Sequence, residues 1–248
     1  LAIAERWFET RAVGDGVTLI WEPHVDPLIR CNIWHVRGRE RDLIIDSGLG
    51  MASLRDAARR LFERPLAAFA THSHYDHSIN WTMFPDARIV IGQTELDWSL
   101  EQPWGVTVVP ELYVRELKTW PTLCTVEDGA EVFPGITAHM AAGHTPGSLV
   151  FVLDGGERDI VFTGDACKNR AELLSRGTDM TYDAAVSSAS IEMVWRQWAR
   201  RPGSILVPGH DLPMVLDNGT PRYLGEREAA IRAWYGEDLN EITVFSLL

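Results

Sequence analysis

Short apolar runs separated by turn residues dominate the chain, and the first of them have strand length. Val17-Thr18-Leu19-Ile20-Trp21, Cys31-Asn32-Ile33-Trp34-His35-Val36 and Asp42-Leu43-Ile44-Ile45 read as successive strands, with Gly14-Asp15-Gly16 and Arg37-Gly38-Arg39 as turns. The pattern then turns helical. Ser53 with Asp56 resembles a capping box, Leu54, Ala57, Ala58 and Leu61 form one stripe, and Pro65 stops it. Strands are expected at 66–70 and 88–91, and alternation resumes at 136–140, 149–153, 160–163 and 204–207. A helix is expected from about Asp183, with Ile191, Val194, Trp195 and Trp198 on one face, and a last one over 221–235. Between these, 93–126 looks irregular, with Pro103, Pro110, Pro121 and the tryptophans Trp98, Trp104 and Trp120. Such a stretch is either a binding loop on the substrate side or a surface excursion whose indoles pack on the core. No linker or repeat interrupts the pattern, so 1–248 reads as a single domain.

The chemistry concentrates where strands end. The strand at 66–70 runs into Thr71-His72-Ser73-His74-Tyr75-Asp76-His77-Ser78, which holds three of the chain's eight histidines. Neutral imidazole and carboxylate suit divalent metals such as zinc. His72 and His74, two apart in extended chain, project to one side and can pinch an ion. Asp76 and His77 lie past them, where the chain turns, and can face a second ion. Three later strands also end in a ligand-type residue, each preceded by glycine: Gly143-His144, Gly164-Asp165 and Gly209-His210. Ligands at strand ends converge on one sheet edge, and glycine leaves room for close approach. His24, His35 and His139 lie outside this pattern and read as packing or surface residues.

Composition narrows the partners. Net charge is −12, which argues against nucleic acid, because phosphate binding needs a basic surface. No apolar run approaches the roughly 20 residues that span a bilayer, so no membrane partner is expected. The three cysteines are far apart in the sequence and suggest free thiols in a reducing compartment, hence the cytoplasm. The chain begins at Leu1 without Met, which leaves room for a removed leader.

The order His-x-His-x-Asp-His, Gly-His-Thr-Pro-Gly, Thr-Gly-Asp and Pro-Gly-His resembles the metallo-β-lactamase superfamily, and Asp46 matches that family's early acidic residue. The resemblance spans about residues 14–235. It implies an α/β fold, the αββα sandwich of two mixed β-sheets face to face with helices outside. It also implies that His72, His74 and His144 hold a first ion, Asp76, His77 and His210 a second, and that Asp165 bridges them. The implied cofactors are two Zn2+, with Fe or Mn accepted by the same ligand types. The implied activity is that of a hydrolase, in which a bridging hydroxide cleaves an ester, lactone, thioester or amide bond of a small molecule and Asp76 handles the proton. A mononuclear-iron persulfide dioxygenase or a phosphodiesterase of the same fold are the alternatives. Lys168, three residues past Asp165, stands where the commonest zinc members carry a lysine that pairs with a substrate carboxylate. It either meets an anionic group or developing oxyanion, or points to solvent. The expected substrate is then anionic with an apolar part, the latter meeting Trp98, Trp104 or Trp120, and the expected assembly a monomer or homodimer.

Overall fold

Alternate residues of the strands enter different cores, and this two-sided burial is what stacks the sheets. In the computed structural model, which describes residues 6–178, 180–226, 230–234 and 242–246, the chain forms two sheets of seven strands and a separate hairpin. The first sheet takes β1 (Glu9–Gly14), β2 (Val17–Trp21), β3 (Ile33–Val36), β4 (Asp42–Ile45), β5 (Leu66–Phe69), β6 (Arg88–Gly92) and β7 (Leu123–Val126) in chain order. Pairing is antiparallel through β4 and parallel from β4 to β7. The second sheet takes β8 (Glu131–Phe133), β9 (Ile136–Met140), β10 (Leu149–Asp154), β11 (Asp159–Gly164), β12 (Ile205–Pro208), β13 (Met214–Asp217) and β14 (Thr220–Tyr223). Only β11 and β12 pair parallel there. The hairpin pairs β15 (Ala230–Trp234) with β16 (Ile242–Ser246).

Leu43, Ile45, Ala67 and Phe69 face Phe151, Phe162 and Val207 of the other sheet, in one core between the layers. Their neighbours Ile44 and Ala68 point the opposite way. There they meet α1 (Leu54–Ala57), α3 (Gln93–Leu100) and α4 (Glu111–Lys118) through Leu54, Leu96, Val114 and Leu117. Val150, Val152, Val161 and Leu206 do the same for α6 (Ala184–Trp198), against Ile191, Val194 and Trp198. Sheets covered on both faces read as continuous apolar runs, which is the pattern of β4, β5 and β10 to β12. The expected αββα sandwich of two mixed sheets is observed. Two further short helices, α2 (Tyr75–Ser78) and α5 (Arg170–Ser175), follow β5 and β11.

Several expected elements differ. The stretch 93–126 is not irregular: it holds α3, α4 and β7, and its prolines lie in the connections or, as Pro110, at the N-cap of α4. The helix after Asp46 is a single turn, with Ser53 accepting from the Asp56 amide as expected, and does not continue to Leu61. The helix expected over 221–235 is replaced by β14 and β15; residues 227–229 and Tyr235 lie outside the described residues. Strands β1, β8, β13 and β16 had no expectation. All three cysteines are unpaired. Among the described residues no helix is long and apolar enough to cross a membrane.

The strands β4, β5, β9, β11 and β12 run in a common sense within their sheets, so the loops after Ile45, Phe69, Met140, Gly164 and Pro208 leave from one edge of the sandwich. That edge carries the candidate chemistry.

Candidate metal centre

The loop after β5 is extended through His74 and then turns into α2, so His72 and His74 point into the edge before the turn while Asp76 and His77 follow from the helix. His144 comes from the β9–β10 loop, Asp165 from the end of β11 and His210 from the end of β12. The glycines before Asp165 and His210 have a steric reason. Gly164 has φ +47 and a Cβ there would overlap the Thr71 side chain; a Cβ on Gly209 would overlap the Asp165 carboxylate.

All seven predicted ligand-type residues meet here. The candidate donor atoms form three groups, each within 4.8 Å: His72, His74 and His144; His72, His77 and Asp165; Asp76, His77 and His210. His74 Nδ1 lies 3.1 Å from His144 Nε2, and His77 Nε2 lies 3.3 Å from His210 Nε2. Asp165 stands between the groups. Its Oδ1 is 3.3 Å from His77 Nε2 and 3.2 Å from His210 Nε2, while its Oδ2 is 3.3 Å from His144 Nε2. Asp76 Oδ2 is 3.5 Å from both His77 Nε2 and His210 Nε2.

These residues fit divalent cations. His72 Nε2 and Asp165 Oδ1 are buried with no hydrogen-bond partner among the described residues, and an orphaned buried acceptor is costly unless something positive meets it. Burial holds all three first-group histidines below the ordinary imidazole range, His74 at about 3, so they stay neutral as ligands must be. At His77 burial also opposes charge, but Asp76, Asp165 and Asp46 outweigh it and raise the ring. Burial pushes Asp76 up, whereas Asp165 is held well below the carboxylate range because its burial is outweighed by His210, His77 and His144.

A second layer orients the donors. Asp46 Oδ2 lies 2.9 Å from His77 Nδ1, which leaves Nε2 for the centre, and Asp46 Oδ1 accepts the Thr71 amide at 2.8 Å. Asp46 holds this place in the left-handed region, at φ 60. Asn32 Nδ2 donates to the carbonyls of Pro208 and Asp211 at 2.9 and 2.7 Å, gripping the loop that carries His210. Glu95, which the sequence did not single out, is fully buried against Ser73 and Thr145. Its sole sequence signal is an acid in the first turn of a helix, and that is the commonest place for one.

His35 pairs with Asp42, and His24 with the Arg6 carbonyl, away from the ligands. His139 lies within β9. The Trp98 ring lies 6.4 Å from His74 and 6.1 Å from Tyr182, at the mouth of the site. Trp120 instead packs edge-on against Trp81 in the core beneath the first sheet, and Trp104 is exposed under Arg115. Lys168 does not point to solvent. Its Nζ lies 2.8 Å from Glu172 Oε1 and donates to Thr178 Oγ1 at 3.1 Å and the Met180 carbonyl at 3.3 Å.

The sequence over 26–210 matches the description of the metallo-beta-lactamase superfamily. The chain belongs to that superfamily. A metallo-beta-lactamase relative from Homo sapiens, acyl-coenzyme A thioesterase MBLAC2, is 31% identical over 190 residues, covering 65% of this chain and 67% of that protein. Its Gallus gallus counterpart is 44% identical over 84 residues, 30% of each chain. Among solved metallo-beta-lactamase folds, AidC, a dizinc quorum-quenching lactonase bound to its product, superposes with TM-score 0.65 at 16% identity, over 89% of this chain and 97% of that one. The hydrolase AbOPH gives TM-score 0.66 at 15% identity, over 91% and 99%.

Proposed function

We propose that this metallo-beta-lactamase-fold hydrolase cleaves acyl bonds of small molecules, thioesters foremost, using two divalent cations, zinc by default. The carrying observation is the Asp165 carboxylate, set with one oxygen toward His77 and His210 and the other toward His144. His72, His74 and His144 would hold one cation and Asp76, His77 and His210 the other, with Asp165 shared. Seven ligands for two ions leave positions open for substrate, unlike the closed sets of structural sites. Cations bound there supply Lewis acidity toward a carbonyl oxygen and bring the pKa of water toward neutrality. Asp76 would take the proton of the attacking water and return it to the departing sulfur or oxygen. Thioesters are placed first because the Homo sapiens relative, 31% identical, is named an acyl-coenzyme A thioesterase.

Residues 93–126 supply part of the substrate side. Trp98 stands next to His74 and Tyr182, and the Val108 carbonyl accepts the Tyr75 amide at 3.0 Å, bringing the exposed Val108 beside the turn that carries His74 and Asp76. We place the apolar part of the substrate against Trp98 and Tyr182. An anionic group reaches Lys168 by displacing one of its present partners, Glu172, Thr178 or the Met180 carbonyl.

A panel of acyl thioesters, lactones, alkyl esters, β-lactams and phosphodiesters tests this reading. Acyl thioesters should show the highest kcat/KM; a phosphodiester in that place would overturn it. Trp98→Ala should raise KM for long-chain acyl thioesters about tenfold, as loss of a buried aromatic contact implies, and leave the acetyl thioester nearly unchanged. Equal effects on both chain lengths would remove Trp98 from the substrate site.

A further inference from the structure

We propose that Glu95 is a positioning residue: its carboxylate ties together the two backbone segments that deliver His72, His74 and His144, and so sets the geometry of one metal position and not the other. The inference rests on the reading of those three histidines as ligands of one ion.

Glu95 lies in the first turn of α3 and is fully buried. Its Oε1 accepts the Ser73 amide at 2.8 Å and the Ser73 hydroxyl at 2.6 Å. Its Oε2 accepts the Thr145 hydroxyl at 2.6 Å and the Gly147 amide at 3.2 Å. Ser73 separates His72 from His74, and Thr145 follows His144. One side chain thus spans the gap between the loop leaving β5 in the first sheet and the β9–β10 loop of the second. Packing leaves little slack. A Cβ on Gly147 would overlap the Glu95 backbone, and one on Gly92 would meet the Gly147 carbonyl at 3.0 Å. The Leu149 amide completes the seam by donating to the Thr71 carbonyl at 2.8 Å.

Each carboxylate oxygen faces two donors, so only an acceptor on both sides satisfies the set. Glutamine keeps the shape but presents an NH2 to one of the pairs. The hydroxyls of Ser73 and Thr145 can rotate to accept, but either the Ser73 amide or the Gly147 amide then faces another donor, and a buried donor without a partner forces its loop to move. The groups behind the other ligands differ. Asp46 orients His77, and Asn32 grips the His210 loop. No bond runs from Glu95 to Asp76, His77 or His210 among the described contacts. Loss of Glu95 should therefore loosen one ion selectively.

Metal-loaded protein, dialysed against graded chelator and analysed for metal content, reads this directly. Supporting residues behind metal ligands are worth about 10–100-fold in affinity, so Glu95→Gln should release one ion at a chelator concentration about tenfold lower than wild type. The second ion should leave at the wild-type concentration. Cadmium-113 resonances identify which ion remains: the residual signal of Glu95→Gln should match that of His144→Ala. Trp198→Phe, which perturbs a hydrogen bond to the Ser204 carbonyl in the core under α6, controls for lost stability and should lower Tm without moving either release point. Should Glu95→Gln fail to fold, Thr145→Val removes one donor, keeps the charge and should shift the same ion in the same direction by less. Retention of both ions at wild-type concentrations, or equal weakening of both, would overturn the proposal while leaving the metal site intact. A wild-type protein that retains no ion would overturn the ligand assignment and this inference with it.

Discussion

Asp165→Asn should strip at least one ion from each chain and lower turnover by at least about a hundredfold. Supporting groups one layer out from a metal are worth about 10–100-fold, and Asp165 is placed as a ligand itself. Its two oxygens lie 3.2–3.3 Å from imidazole nitrogens of both groups, so in the proposed centre each oxygen would serve a different ion. The amide retains one oxygen and turns an NH2 toward the other ion, where a donor repels a cation. The lost charge compounds this, because the centre would gather two dications around two carboxylates. Metal analysis and turnover on the same preparation check it. Retention of both ions with turnover within tenfold of wild type would remove Asp165 from the shared position.

Asp76→Asn should act differently, reducing turnover by about 10²–10⁴-fold while the first ion stays bound. The amide cannot take a proton from the attacking water, but His72, His74 and His144 are untouched. The loss should depend on the leaving group. A thiol ionises near pH 8.5 and departs as thiolate with little help, whereas an alkoxide must be protonated. The penalty should therefore be larger on an alkyl ester than on a thioester of the same acyl group. Equal penalties would confine Asp76 to the attack step, and near-native turnover with both ions bound would deny it any proton-handling role.

The clustering of the seven ligand-type residues was legible in the sequence because His72, His144, Asp165 and His210 follow apolar strands and His74, Asp76 and His77 lie within five residues of His72. Strand ends need no long-range information to recognise, and the glycines at 143, 164 and 209 mark where backbone must come close. The strands were legible for the same reason, β4, β5 and β10 to β12 being apolar on both faces, whereas the sandwich they build followed from the superfamily resemblance. The edges were less so. Strands β13 and β14 are short and half-exposed, and β14 contains Pro221, which local pattern reads as a helix start. Strand β1, Glu9–Gly14, has no buried residue and so carries no alternation to detect. Prolines at 103, 110 and 121 masked α3 and α4, although α3 ends before Pro103 and α4 runs between Pro110 and Pro121. Glu95 and Lys168 show a different limit. One is an ordinary first-turn acid and the other an ordinary lysine until tertiary structure buries the first under two loops and pairs the second with Glu172.

Metal content together with thioester hydrolysis, measured on one preparation before and after chelation, tests the central claim most directly. Two divalent ions per chain, loss of hydrolysis on their removal and recovery on adding zinc are the predicted result. One tightly bound iron with oxygen consumed on a persulfide substrate, or full hydrolysis by metal-free protein, would contradict it.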